Sequence, residues 1–279
     1  MGETVRKFRK VFNFQDPDAK GRCCVLIFKV VEGFLTYITT GIFYTEFLRC
    51  YGMDSVAAGV LSFIPYIASM LVLFTPALLN RFPRRKWILA VCKFMYYFVV
   101  LVGLNLLPYM VTDDRGRLWG MIIITFLASL FNVVATAGYA AWHIRFQPEE
   151  IRAYFLSVCL FLTALVSGVF TLASGLITDL LQKQMSQEAE LTFLVFLRYF
   201  AFALGVVNVI FLLLPREVDY PVIHAPRFSD IFSVPAHNRK FMLTMGVVFL
   251  WQFSTYCYSA QLSLSLIHIS EPTRRRGIS

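Results

Sequence analysis

The chain of 279 residues is too apolar and too poor in charge to be an ordinary soluble domain. Hydrophobic residues make up 58% of it and charged residues 15%, whereas soluble domains carry about 25% charged residues. The mean hydropathy is +0.64, and the 28 Phe and 13 Tyr fall mostly in long runs with few charges. This composition excludes disordered, collagen-like and disulfide-rich chains and predicts a helical membrane protein with several spans.

Six apolar runs, here called segments, are long enough to cross a hydrocarbon core of about 30 Å as helices. They are residues 24–48, 56–79, 87–107, 118–141, 154–181 and 191–214, and a seventh opens near Phe241. Their apolar residues are consecutive, unlike the alternating pattern of barrel strands. The predicted fold is an all-α membrane protein with a basic arm (1–22), a six-helix domain (23–214), a linker (215–239) and a partial seventh helix (240–263).

Positive charge in the loops predicts the orientation, because short loops rich in Lys and Arg stay in the cytoplasm. The arm, the loops after the second and fourth segments and residues 215–240 carry 16 Lys and Arg residues. The loops on the opposite side carry four. We therefore expect the N-terminus and the linker to lie on the cytoplasmic side.

The last residues depart from the apolar pattern. Residues 264–274 place His268, Glu271 and Pro272 where the seventh helix is expected to continue. They resemble an in-frame translation of a transposon-end sequencing adapter. We therefore expect residues 264–279 to be a non-native tail and the natural protein to be longer; the alternative is a short basic cytoplasmic tail.

Two segments carry a stripe of polar side chains at helical spacing. Steps of three and four residues place each stripe on one helix face, and lipid disfavours both faces. We therefore predict a solute pathway between the first and fourth helices. The alternative is that the hydroxyls only bond their own helix or a neighbour. The predicted pathway residues are Lys29, Glu32, Thr36 and Thr39 in the first segment and Ser129, Asn132, Thr136 and Tyr139 in the fourth.

Glu32 is the acidic candidate of the pathway, because a charge inside a bilayer costs several kcal/mol unless it is paired or hydrated. Lys29, three residues earlier, can neutralise it as a structural pair, and Lys93 lies at similar depth. The alternative for both lysines is that they extend to the cytoplasmic headgroups. We interpret Arg198, near the outer face, as an interfacial anchor.

Small residues recur at helical spacing in two other segments. The second carries Ser62, Pro65 and Ser69, and the fifth carries Gly168 and Gly175. Such faces let helix backbones approach closely, so we interpret both as packing surfaces.

Other chemistries have no supporting pattern. The six cysteines form no CxxC pair, the histidines show no metal-ligand spacing, and no glycine-rich phosphate loop is present. The basic residues are divided among loops and do not form one continuous face. We therefore expect no enzymatic activity, no cofactor, no metal and no nucleic-acid partner.

The loop after the second segment resembles a signature of the major facilitator superfamily, which runs Gly, three residues, Asp-Arg-x-Gly-Arg-Arg or Lys. In this chain Arg81, Arg84, Arg85 and Lys86 match it. Pro76 replaces the first Gly, Asn80 the Asp and Pro83 the second Gly. Together with six segments, two cytoplasmic ends and a long linker, the loop makes residues 23–263 similar to the amino-terminal half of such a transporter.

The resemblance implies two inverted three-helix repeats, with the first and fourth helices lining a midplane site and residues 80–86 as a gating loop. It also implies a secondary transporter of a bacterial cytoplasmic membrane that moves a small solute by alternating access, coupled to H⁺ or Na⁺. Its partners would be the lipid bilayer and the C-terminal half of the same transporter, so we expect no transport by this chain alone. The alternatives are a non-transporting receptor or scaffold of this fold and an intramembrane enzyme.

Overall fold

A computed structural model of the chain describes residues 18–40, 42–184, 186–217, 233 and 235–254. All regular secondary structure in these residues is helical. The chain divides into two compact units, Met1–Ala225 and Pro226–Ser279. The first unit contains the six predicted segments.

The first unit is built from nine α-helices and three short helices of other types among its described residues. The α-helices are α1 (Ala19–Thr40), α2 (Ile42–Cys50), α3 (Ser55–Ser69), α4 (Thr75–Leu79), α5 (Lys86–Tyr97), α6 (Leu104–Met110), α7 (Asp114–His143), α8 (Glu149–Gln184) and α9 (Gln187–Leu213). Met70–Phe74 and Ile144–Phe146 are 3₁₀-helical, and Phe98–Gly103 is π-helical.

Six helical stretches are long and apolar enough to cross a membrane, which confirms the six predicted segments. They are span 1 (Ala19–Cys50), span 2 (Val56–Leu79), span 3 (Lys86–Met110), span 4 (Asp114–Phe146), span 5 (Glu149–Ile177) and span 6 (Glu188–Leu213). Span 1 begins earlier than predicted, so Arg22 belongs to the helix. It is fully buried, and its guanidinium donates a hydrogen bond to the carbonyl of Phe146 at 3.3 Å.

The second unit contributes a helical stretch at residues 239–254. Residues 255–263, which complete the predicted seventh helix, lie outside the described residues. The arm up to residue 17 and the tail at 264–279 also lie outside them. The seventh span and the non-native tail therefore stay predictions.

Side-chain caps fix the starts of spans 2, 4 and 6. The Asp54 carboxylate accepts the backbone N–H of Ala57 at 2.7 Å, and the Asp113 carboxylate accepts that of Gly116 at 2.8 Å. Ser186 caps span 6 in the same way. Each cap satisfies a donor that the first helical turn leaves without a partner, and all three lie at the ends predicted to face away from the cytoplasm.

The spans pack in a pattern that relates the two halves of the unit. Span 1 packs mainly against spans 5 and 6, span 4 packs mainly against spans 2 and 3, and spans 3 and 6 pack against each other. Exchanging spans 1, 2 and 3 with spans 4, 5 and 6 leaves this set of main contacts unchanged.

Glycine permits the close approach of spans 3 and 4. A Cβ atom added to Gly138 would lie 2.2 Å from a methyl carbon of Leu89. Gly168 and Gly175 of span 5 differ, because a Cβ atom at either would meet nothing within 4 Å. Among the described residues, nothing therefore contacts these two positions of the face predicted to pack in the fifth segment.

Candidate functional site

A cavity of about 730 Å³ lies among spans 1, 2, 3 and 4. Five predicted pathway residues line it: Thr36, Thr39, Ser129, Asn132 and Thr136. Spans 2 and 3 complete its polar wall with Ser62, Tyr66, Ser69 and Tyr96. Among the described residues no charged side chain lines this cavity, so its wall consists of hydroxyls, one amide, aromatic rings and aliphatic groups.

The small-residue face of the second segment, which was predicted to pack against another helix, lies on the cavity wall. Ser62, Pro65 and Ser69 lie on the cavity wall, and both serines are exposed. Small side chains at these positions leave space beside span 4, and that space is the cavity. Spacing alone could not separate a packing face from a cavity wall, because both require small residues.

A buried ionic network adjoins the cavity. Lys93 Nζ lies 2.6 Å from Glu32 Oε1 and donates to Asn132 Oδ1 at 2.9 Å. Tyr139 donates its hydroxyl hydrogen to the same Glu32 oxygen at 2.6 Å and lies 3.1 Å from Thr136 Oγ1. Spans 1, 3 and 4 thus meet at one carboxylate. A small void of about 40 Å³ is lined by Glu32, Lys93 and Asn132, and Asn132 also lines the larger cavity.

Aromatic faces help to stabilise the buried Lys93 ammonium inside the bundle. The residue is 1% exposed, and its Nζ lies 5.0 Å, 5.1 Å and 5.7 Å from the ring centroids of Tyr96, Tyr97 and Tyr139. Cations within about 6 Å of an aromatic face are attracted by its quadrupole. Lys93 therefore does not extend to the headgroups.

The ion partner of Glu32 is Lys93, and Lys29 does not pair with it. Among the described residues Lys29 makes no salt bridge and lines neither cavity. The three-residue spacing suggests a Lys29–Glu32 pair on one helix, whereas the structure has a Lys93–Glu32 pair across two helices. Local spacing on one helix favours Lys29, whereas the facing of spans 1 and 3, which a single sequence does not specify, favours Lys93.

Most hydroxyls on the pathway stripes also bond their own helix, as the alternative interpretation stated. Thr36 donates to the carbonyl of Glu32 at 2.9 Å, Thr39 to that of Leu35 at 3.1 Å, and Ser129 to that of Thr125 at 2.7 Å. These residues therefore line the cavity and also bond their own helix, while the solute pathway stays a prediction. Because each hydroxyl hydrogen is engaged, the oxygens present acceptor lone pairs to the cavity.

The interpretation of Arg198 as an interfacial anchor is wrong. The side chain is 2% exposed and lies inside the bundle between spans 1, 3 and 6. Its Nε donates to Asn105 Oδ1 at 2.7 Å, and its guanidinium also donates to the carbonyl of Val100, within the π-helical turn of span 3. Its carbon Cζ lies 4.3 Å from the ring centroid of Phe47.

The predicted gating loop is held by local bonds and by a carboxylate that follows span 6. Arg85 donates to Asn80 Oδ1 at 3.0 Å, while Arg81 and Arg84 are exposed. The Glu217 carboxylate accepts the backbone N–H of Lys86 at 3.2 Å, at the start of span 3. The loop therefore contacts a carboxylate from the residues after span 6. The sequence pattern does not predict this contact, because Asn80 stands where the resembled signature has Asp.

No group of three or more His, Cys, Asp or Glu side chains in the described part of the chain is placed to hold a metal ion. Comparisons with protein families, with curated proteins and with solved structures found no match to this chain. A function therefore has to be inferred from the cavity and the ionic network.

Proposed function

We propose that this chain forms the solute-binding half of a secondary transporter of the major facilitator type. The cavity of about 730 Å³ binds a small solute, and the Glu32–Lys93 pair couples that binding to a cation. One observation carries the proposal: an ion pair between spans 1 and 3, hydrogen-bonded to span 4, lies beside a cavity with a polar wall. Ionisable groups inside a membrane bundle typically mark solute and ion pathways.

The helix packing supports the proposed inverted repeats. Spans 1 and 4 are equivalent under the exchange that preserves the main contacts, and these two spans provide the polar stripes of the cavity. Transporters with inverted repeats bind solutes at the interface between the repeats.

The network also supports cation coupling. Glu32 is the acidic member of the network, and it neutralises Lys93 and accepts the hydrogen bond from Tyr139. A proton on this carboxylate would remove the charge that holds spans 1 and 3 together. Na⁺ could instead bind to its oxygens, since hard cations prefer oxygen ligands. Either event would change the surroundings of Asn132, which lines both the small void and the solute cavity.

The exposure of the polar wall supports a second body opposite the cavity. Thr36, Thr40, Ser62, Ser69 and Thr136 are exposed, and acyl chains offer no donors to their hydroxyl oxygens. We propose that a second six-span body covers this face in the transporter and that the two bodies rock about the cavity. The chain alone is then expected to bind solute without transporting it.

A binding screen tests the proposal. The purified chain is heated in detergent micelles with a panel of sugars, amino acids, carboxylates and amides, and unfolding temperatures are compared. At least one solute should stabilise the chain, because ligands that bind only the folded state raise the unfolding temperature. Asn132→Ala should abolish this effect, whereas Thr171→Ala, on the exposed face of span 5, should retain it. A panel without a stabilising member, or an unchanged response in Asn132→Ala, would contradict the proposal.

A further inference from the structure

We infer that the solute is an anion whose negative group binds at the Tyr44–Thr125 end of the cavity, next to the buried guanidinium of Arg198. This inference rests on the proposed function, since it names the chemical class of the solute and the end of the cavity that recognises it.

The first argument is a balance of charge inside the bundle. Lys93 is neutralised by Glu32 at 2.6 Å. Arg198 forms no salt bridge with any Asp or Glu of the described residues, and its polar contacts are the neutral oxygens of Asn105 and Val100. A buried charge is costly unless it is paired. Arg198 is therefore a buried positive charge beside the cavity that no described carboxylate compensates.

The second argument is a group of donors without acceptors around Arg198. Its Nη1 and the Asn105 Nδ2 are buried without a hydrogen-bond partner among the described residues. The buried hydroxyls of Tyr44 and Thr125 also have no hydrogen-bond partner among the described residues. All of these groups can donate, and buried donors in native proteins are normally satisfied.

The donors lead from Arg198 to the cavity. Arg198 Cζ lies 5.7 Å from the ring centroid of Tyr44, which is 5% exposed. Tyr44 and Thr125 both line the cavity of about 730 Å³. An anion in contact with these hydroxyls therefore approaches the guanidinium through a region of low dielectric, where charge interactions are strong.

The two parts of the cavity wall differ in hydrogen-bonding character. The hydroxyl hydrogens of Thr36, Thr39 and Ser129 are engaged by helix carbonyls, so that part presents acceptors. The Tyr44–Thr125 end has hydroxyl hydrogens available. An anion requires hydrogen-bond donors. A solute with a carboxylate at one end and a polar body fits this wall, because the carboxylate meets the donors and the polar body meets the acceptors.

A purely structural role for Arg198 predicts a different result. In that case Phe47 and Tyr44 stabilise the guanidinium through their ring faces, and water fills the unsatisfied donors. Water supplies no compensating charge, so a site of that kind would not distinguish an anion from its neutral analogue.

Matched probe pairs test the inference on the purified chain. Lactate is compared with lactamide and benzoate with benzamide, at constant ionic strength, by the dissociation constants obtained from unfolding temperatures. We expect a carboxylate to bind at least about tenfold more tightly than its amide. Tyr44→Phe combined with Thr125→Val should weaken carboxylate binding by about tenfold and leave amide binding unchanged. Tyr199→Phe combined with Thr171→Val, at exposed positions, is the control.

Arg198 variants separate charge from packing. Arg198→Lys keeps the positive charge and should keep the carboxylate preference, whereas Arg198→Gln should remove it. If Arg198→Gln does not fold, the hydroxyl double variant decides alone. Equal binding of carboxylate and amide, or an unaffected hydroxyl double variant, would overturn the inference and leave the proposed function intact. Absence of binding by these pairs and by the wider panel would overturn both.

Discussion

Replacing Glu32 with Gln should leave the charge of Lys93 buried without a counter-ion. The Lys93 side chain is 2% exposed, and its Nζ lies 2.6 Å from the Glu32 carboxylate. Glutamine preserves the shape and an acceptor oxygen but removes the negative charge. The variant therefore isolates the electrostatic contribution of the pair.

The expected loss can be worked out from the neighbours of Lys93. Removing one partner of a buried ion pair costs about 3–5 kcal/mol. The bond to Asn132 and the faces of Tyr96, Tyr97 and Tyr139 remain, and a desolvated cation–π contact offsets about 2 kcal/mol. We therefore expect Glu32→Gln to lower the free energy of unfolding by about 1–3 kcal/mol.

A double-mutant cycle measures the coupling. Lys93→Met should cost less than Glu32→Gln, because the Glu32 side chain is 23% exposed and keeps its bond to Tyr139. Combining the two changes should cost less than the sum, with a coupling energy of about 2 kcal/mol. The free energies come from denaturant unfolding in micelles, with exposed Glu188→Gln as the control. Additive losses would refute the reasoning, since they mean that the two charges do not interact.

Two further predictions concern the scaffold. Gly138→Val should destabilise the chain by about 1–3 kcal/mol, because the valine side chain would overlap Leu89. The control Gly168→Val should have little effect on thermal unfolding. Equal effects of the two variants would contradict the close approach of spans 3 and 4. Glu217→Ala should lower the free energy of denaturant unfolding by about 1 kcal/mol, because the backbone N–H of Lys86 loses its acceptor. An unchanged free energy would mean that this loop contact does not form.

Sequence patterns predicted the spans and the polar stripes because both are local properties. Runs of apolar residues determine span length, and the steps of three and four place Glu32 on one face and Asn132 and Tyr139 on another. These three residues meet at Lys93 in the structure. The stripes predict this proximity because spans 1 and 4 turn their polar faces toward the same interior of the bundle.

The partners across helices could not be read from the sequence. Lys29 and Lys93 lie at similar depth, and only the rotation of span 3 decides that Lys93 pairs with Glu32. Arg198 was placed at the interface on depth alone, whereas the π-helical turn at Phe98–Gly103 provides the Val100 carbonyl that it contacts inside the bundle. Helix rotation and local departures from α-helical geometry depend on tertiary packing.

The central claim is that the polar wall between spans 1 and 4 faces water and not lipid. The most direct measurement is cysteine accessibility in a bilayer, with the six native cysteines replaced by alanine. Single cysteines at Thr36 and Thr136, on the cavity wall, should react rapidly with a charged, water-soluble maleimide, while one at Leu165, 52% exposed on span 5, should not react. Unreactive cysteines at Thr36 and Thr136, with labelling no faster than at Leu165, would contradict the account.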